Sequence, residues 1–263
     1  MKIMSVANFI LRKLGFQLVK YHADTVWVSQ PEGYHLTPKY FGCSAKKQVD
    51  IRTLQPFGDL ARTVMEDRKT YLNYDRLFTI YQCLNNLPKL DQANLDIAEV
   101  GVFKGGGTYF MAGLLEKMGL DDVNIHAVDT FEGHAAVDIS STSDNTKVHN
   151  DQKFSETSFE AVKAYLSKFS KVKVYKGRIQ DRADEMASTR FAFVHLDMDL
   201  YEPTKYGLEL FESKMCSGGM ILLDDYDCHT CPGVRKAIDE FLENRNTFTR
   251  LDLLSAQCVL IHK

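Results

Sequence analysis

Two apolar runs of this chain end in aspartates. "FAFVHL" (191–196) leads into Asp197-Met198-Asp199, and "MILL" (220–223), preceded by Gly218-Gly219, leads into Asp224-Asp225. Neighbouring ionised carboxylates repel one another, and burial at the mouth of an apolar strand adds a desolvation cost. Two kinds of partner relieve this. One is a hard divalent cation, which collects about six oxygen ligands. The other is a set of helix caps or salt bridges, for which Arg178, Arg182 and Arg235 are the candidates. Asp197-Met198-Asp199 is also formally a D-x-D, a pattern that holds the pyrophosphate of a nucleotide-sugar through a divalent ion.

Three earlier strand ends carry a different chemistry. "LDIAEVGVF" (95–103) passes through Glu99 and Gly101 into Gly105-Gly106-Gly107-Thr108, where glycines let backbone approach a ligand and turn sharply into a helix. The spacing is not G-x-G-x-x-G, because Phe103 occupies the second glycine position, which argues against a pyrophosphate cradle. "NIHAVDTF" ends at Asp129, 28 residues after Gly101, where an acidic side chain is the usual partner of a ribose hydroxyl pair. "KVKVYKG" ends in Gly177-Arg178-Ile179-Gln180-Asp181, a turn able to offer an amide and a carboxylate to an adenine edge. Taken in order, these ends describe a site for an adenosine-containing ligand without a phosphate cradle. The candidate cofactor-binding residues are Glu99, Gly101, Phe103, Gly105, Gly107, Thr108, Asp129, Thr130, Phe131, Arg178, Ile179, Gln180 and Asp197.

The elements that position these ends alternate. Helical spacing of Leu77, Ile80, Tyr81 and Leu84 precedes the first strand. Helices are expected at about 108–118, 158–168, 203–214 and 233–244, interleaved with the strands, and "FTRLDLL" and "CVLIHK" read as two closing strands. Thr157-Ser158-Phe159-Glu160 has a capping-box pattern at the start of one helix. Strands alternating with helices imply right-handed crossovers and a mostly parallel sheet covered on both faces. In such a sheet ligands bind beyond the carboxyl ends of the strands, where the unusual residues lie. The polar stretch at about 132–156 is too long for an ordinary connection and reads as a disordered segment or a lid.

Composition bounds the rest. With 263 residues, 44% hydrophobic, 25% charged and a net charge of -3, the chain suits one large globular domain with an extension, and no global basic excess points to nucleic acid. Residues 1 to about 60 form the extension. It opens with a helix placing Val6, Phe9, Ile10 and Leu14 on one face, basic through Lys2, Arg12, Lys13 and Lys20. No run approaches the roughly 18 apolar residues that span a bilayer, and "MKIMSVANFILRKLGFQLVKY" makes a poor signal peptide. The six cysteines (43, 83, 216, 228, 231 and 258) are scattered, so reduced thiols in a cytoplasm are expected. Cys228-His229-Thr230-Cys231 is a CxxC, but no second ligand pair with zinc-site spacing follows it.

"AEVGVFKGG", "VDTFEG", "LDMDLYEPT" and "LLDDYD", in this order, resemble the macrocin O-methyltransferase family over most of the chain. The resemblance implies a Rossmann-like class I methyltransferase fold with a seven-stranded sheet at residues 61–263. It implies S-adenosylmethionine and Mg2+ as cofactors, and a sugar or glycosylated natural product or glycan bearing a free hydroxyl as acceptor. It makes the strands ending at Asp197 and Asp224 neighbours, with Asp197, Asp224 and Asp225 as metal ligands. It places Glu99, Gly101 and Gly105 at the methionine end of the cofactor, Asp129 at the ribose and Gln180 at the adenine. Methyl transfer from a sulfonium needs only a substrate oxygen aimed along the S–CH3 axis at about 3 Å and stripped of its proton. Asp197 and His229, four residues past Asp225, are the catalytic candidates. His195 reads as a core or supporting residue, and His134 and His149 lie in the stretch 132–156, within reach of substrate. The extension would cover a neighbouring subunit's site in a homo-oligomer. The alternatives are a D-x-D glycosyltransferase, which leaves the Glu99–Thr108 loop unexplained, a NAD-dependent oxidoreductase, which lacks its glycine fingerprint, and a non-catalytic scaffold, in which an unused acidic cluster only costs stability.

Overall fold

The computed structural model describes residues 51–90, 95–139, 144 and 148–263, together with two amino-terminal strands. The chain divides into two compact units, 1–50 and 51–263. In the first, β1 (Phe16–Tyr21) pairs antiparallel with β2 (Gly33–Pro38). The basic helix expected before residue 15 lies outside the described residues, as do 140–143 and 145–147 of the polar stretch.

The second unit, which begins at residue 51, opens with α1 (Phe57–Glu66) and α2 (Tyr74–Leu84). Then follow β3 (Asp96–Val100), α3 (Gly106–Met118), β4 (Ile125–Asp129) and the single turn α4 (Ala136–Ile139). Next are α5 (Phe159–Leu166), β5 (Val172–Lys176), the short α6 (Ile179–Arg182) and β6 (Phe191–Leu196). The chain closes with α7 (Tyr201–Glu212), β7 (Met215–Leu223), α8 (Pro232–Leu242), β8 (Phe248–Asp252) and β9 (Cys258–His262). The sheet order is β5-β4-β3-β6-β7-β9-β8. Its first five strands are parallel, and β9 joins β7 and β8 antiparallel. Successive strands run outward in one direction from β3 and in the other from β6. The two therefore meet at the topological switch point, where a crevice opens beyond the strand ends.

Side-chain alternation divides the core between the two faces. Ile97, Phe193 and Leu222 pack with Phe57 of α1, Leu77 of α2 and Phe110 of α3. Ala98, Val194 and Ile221 pack with Leu208 and Phe211 of α7 and Ile238 of α8. Burial of each large side chain contributes about 1.5–3 kcal/mol, enough for the strands to be buried on both faces despite their polar ends.

Two local expectations change. The strand ahead of Asp224 is longer than its apolar run 220–223: β7 already runs from Met215, and Gly218 sits within it at φ +76°. The pairing register with β6 shifts there, from Phe191 opposite Met215 to Phe193 opposite Met220, so the glycines absorb the extra residues of an irregular strand. At α5 the cap is Ser158, whose hydroxyl accepts from the Ala161 amide at 3.2 Å. Thr157 instead donates to the Phe103 carbonyl at 2.7 Å, tying the helix start to the loop after β3.

Candidate active site

Register sets the site. Glu99, His195 and Leu222 stand opposite one another on β3, β6 and β7. Glu99 and His195 therefore project to the same face as Phe193 and Leu222, the face that α2 covers, and Asp224 continues that row one step past the strand end. His195 Nδ1 lies 3.1 Å from Glu99 Oε1 and its Nε2 lies 3.3 Å from Asp224 Oδ1. Thr108 donates to the other Glu99 oxygen. Burial alone would lower the His195 pKa, but hydrogen bonds to Asp224 and Glu99, and their charges, outweigh it and raise the pKa to about 10. The ring is thus an imidazolium held between two carboxylates.

Asp224 is pinned further. Arg76 of α2 binds Asp224 Oδ2 through Nη1 and Asp225 Oδ1 through Nη2, the latter at 3.0 Å, and Gln257 donates to Asp224 Oδ1. Burial pushes the Asp224 pKa up, but Arg76 and His195 outweigh it and hold the carboxyl below its usual range. The arginine that holds these aspartates is therefore Arg76. Arg178 forks onto Asp138 at 2.7 and 3.0 Å, Arg182 pairs with Glu185, and Arg235 pairs with Asp227. Nothing in the spacing of α2 singles out Arg76 beyond its place beside Leu77 on the buried face.

The remaining carboxylates face one another. Asp197, Asp199 and Asp225 bring oxygens within 4.8 Å of one another, and Asp224 lies equally close to Asp197 and His195. Burial, then the charges of Asp224 and Asp199, raise the Asp197 pKa well above its usual range; burial, then Asp199, Asp224 and Asp197, do the same to Asp225. Asp199 and Asp225 both sit in the left-handed region, φ +61° and +60°, a conformation that aspartate tolerates better than most residues. Glu99, Asp197, Asp199, Asp224 and Asp225 outnumber Arg76 and His195, the cations described beside them. An all-oxygen donor set with buried charge of one sign in excess fits a hard divalent cation.

On the other side of the switch point the loop after β3 forms a backbone cradle. A Cβ on Gly101 would stand 1.8 Å from the Asp197 carbonyl oxygen, and one on Gly107 2.1 Å from Glu99 Oε1. Gly101 and Gly105 have φ of +92° and +88°. The Asp129 carboxylate accepts from the amides of Val102, Phe103 and Phe131 at 2.7, 2.8 and 2.6 Å and from Thr130 Oγ1 at 3.4 Å. Its oxygens hold the first and second strand-end loops together. Thr130 also donates to the Gly133 carbonyl, and Phe131 is buried. Phe103 stacks on Tyr71 with ring centroids 5.1 Å apart. Ile179 is buried, and Gln180 carries a buried Oε1 without a described hydrogen-bond partner, an acceptor left for a donor. The cradle and this acceptor fit an adenosine-bearing ligand.

His229 is exposed on the turn after Asp225 and joins no described cluster. Besides His195, His134 and His149 reach the carboxylates; their rings lie 3.2 Å apart (Nε2 to Nδ1) and within 4.8 Å of Asp199. His149 Nε2 is in turn 3.5 Å from Cys231 Sγ, and Asp199 Oδ1 is 3.5 Å from the same sulfur.

The macrocin-O-methyltransferase (TylF) family profile matches residues 18–263. The chain belongs to this family. A 4'-O-methyltransferase of Streptomyces olivaceus, named for 8-demethyl-8-(2,3-dimethoxy-alpha-L-rhamnosyl)-tetracenomycin-C, is 26% identical over 65% of the chain and 67% of its own length. The demethyldecarbamoylnovobiocin O-methyltransferase of Streptomyces niveus is 27% identical over 65% and 67%. Among solved structures the O-methyltransferase NovP superposes with a TM-score of 0.66 at 23% identity, over 74% of this chain and 82% of its own. The macrocin-family chain is an S-adenosylmethionine-dependent O-methyltransferase, so the glycosyltransferase, oxidoreductase and scaffold readings fall away. Among the described residues no helix is long and apolar enough to cross a membrane.

Proposed function

We propose that this O-methyltransferase methylates a hydroxyl of a sugar on a natural product or glycan, with Mg2+ held by Asp197, Asp224 and Asp225. The supporting observation is the buried edge of carboxylates beyond β6 and β7, in excess of the cations described beside it and next to the glycine cradle of β3. The curated relatives named above act on a rhamnosyl tetracenomycin and on a novobiocin precursor, both natural products. In the proposed assignment Gly101, Gly105 and Gly107 admit the methionine end of the cofactor and Gln180 accepts from its adenine. Asp129 shapes that pocket by holding the Val102 and Phe103 amides.

Arg76 keeps Asp224 and Asp225 in register, and Glu99 and Thr108 fix the His195 ring that supports Asp224. A bound Mg2+ would supply a Lewis acid that lowers the pKa of a coordinated hydroxyl and fixes its direction. Asp197, the carboxylate at the end of β6 beside the proposed metal position, takes the hydroxyl proton. His229, exposed on its turn, has no part in this assignment.

Calorimetric titration tests the reading. S-adenosylmethionine should bind the wild type, and Mg2+ should then give a second signal. Asp225→Asn, which keeps a residue tolerant of φ +60°, should lose the Mg2+ signal while retaining cofactor binding. Silence toward S-adenosylmethionine, or a Mg2+ signal unchanged in the variant, would sink it.

A further inference from the structure

The sequence offers Cys228 and Cys231 no second ligand pair along the chain; the fold brings one in from elsewhere. Three consecutive tight turns precede α8, with Cys228 N donating to Asp225 O at 3.1 Å, Cys231 N to Cys228 O at 3.0 Å and Val234 N to Cys231 O at 3.1 Å. They bring the two sulfurs together with an Asp225 oxygen, all within 4.8 Å of one another. Cys231 is buried, at 2% exposure, and its sulfur is ringed by other donors. His149 Nε2 and Asp199 Oδ1 each lie 3.5 Å away, and Cys228 is its hydrogen-bonding neighbour. Thiolate, imidazole and carboxylate bound tetrahedrally at zinc distances stand about 3.6 Å apart, and the two contacts of Cys231 with His149 and Asp199 have that length. The ring orientation matches as well. His149 presents Nε2 to the sulfur while Nδ1 meets His134 Nε2 at 3.2 Å, as a metal-bound histidine has its other nitrogen fixed by a neighbour.

We propose that Cys228, Cys231, His149 and Asp199 form a binding site for a soft divalent cation of the zinc class, adjoining the proposed magnesium edge at Asp199 and Asp225. The two sites differ in donor chemistry. Asp197, Asp224 and Asp225 offer oxygen alone, whereas this cluster offers two sulfurs and one imidazole nitrogen, which hard Mg2+ does not select. Binding replaces the two thiol protons, which leave to solvent, and no electron is transferred. The cation ties His149, from the polar segment after β4, to the turn that carries Asp225 into α8.

Cobalt serves as the probe because thiolate ligation gives it a charge-transfer absorption that oxygen ligation does not. Co2+ is titrated into reduced, metal-stripped full-length protein in excess Mg2+, and S-adenosylmethionine binding confirms that each variant is folded. The wild type should develop the thiolate band at one equivalent, and Zn2+ should abolish it by displacement. Cys231→Ser should remove the band, and His149→Ala should weaken Co2+ binding at least about tenfold. No band in the reduced wild type overturns the proposal, as does a band that survives Cys231→Ser. So does a Cys228–Cys231 disulfide that re-forms in air at saturating Zn2+, since a bound cation would hold both sulfurs. The readout does not depend on methyl transfer or on the magnesium edge, so its failure is distinct from failure of the proposed function.

Discussion

His195 lies at the centre of a charged row that no pair along the chain announces. Its ring joins Glu99 on β3 to Asp224 beyond β7, and the two carboxylates raise its pKa to about 10. Replacing it by leucine leaves two buried carboxylates without the cation between them. Removal of one partner from a buried ion pair costs about 3–5 kcal/mol, so His195→Leu should lower unfolding stability by that order in urea denaturation with chelator present. The sign of the pH dependence follows from the shift. The pKa is raised above its unfolded value of 6.5, so the stabilisation is fully present below pH 6.5 and is lost as pH rises toward about 10. The stability gap between wild type and His195→Leu should therefore narrow over that interval. A gap independent of pH would mean that the ring acts by packing alone.

At the scale of the element, the loop from β3 into α3 is built for close approach. Gly101 combines φ +92° with backbone 1.8 Å from where a Cβ would stand, whereas Gly119, at the other end of α3, has φ +69° and nothing within 4 Å. Alanine at 119 meets only the left-handed backbone penalty, of about 1 kcal/mol. Alanine at 101 must also push the Asp197 carbonyl aside, which displaces a carboxylate of the proposed magnesium edge. Gly101→Ala should abolish S-adenosylmethionine binding in calorimetry while Gly119→Ala keeps it at near wild-type affinity. Comparable affinities in the two variants would refute a cradle at Gly101. The glycine cluster is plain in the sequence because only glycine accepts these backbone angles. Which glycine is indispensable depends on what lies opposite, and for Gly101 that is a strand end 96 residues away.

At the scale of the molecule, residues 51–263 contain both faces of the core and all of the candidate site. A unit with its own core folds alone, so a chain of residues 51–263 should bind S-adenosylmethionine with affinity within about twofold of the full chain. Sedimentation of the two forms would show whether the extension, proposed here to contact substrate or a neighbouring subunit, holds an oligomer together. Lost cofactor binding in the shorter chain would place part of that site in residues 1–50.

The alternation of strands and helices, the strand-end glycines and the paired aspartates were legible because each is local. Parallel strands buried on both faces must be apolar throughout, and polar residues at their ends must face a ligand or a cation. Four motifs in order were enough for the family. Only the tertiary structure decided which charges meet. Arg76 reaches Asp224 and Asp225 across roughly 150 residues because α2 covers the face to which β3 and β6 turn Glu99 and His195. Asp129 braces two strand-end loops because the amides of Val102, Phe103 and Phe131 converge on it. Cys231 found His149 and Asp199 in the same way, from separate strand-end loops. Periodicity records which face a residue occupies within its own element. It carries no record of which side chains from distant elements share that face, and buried electrostatics depends on distances between those.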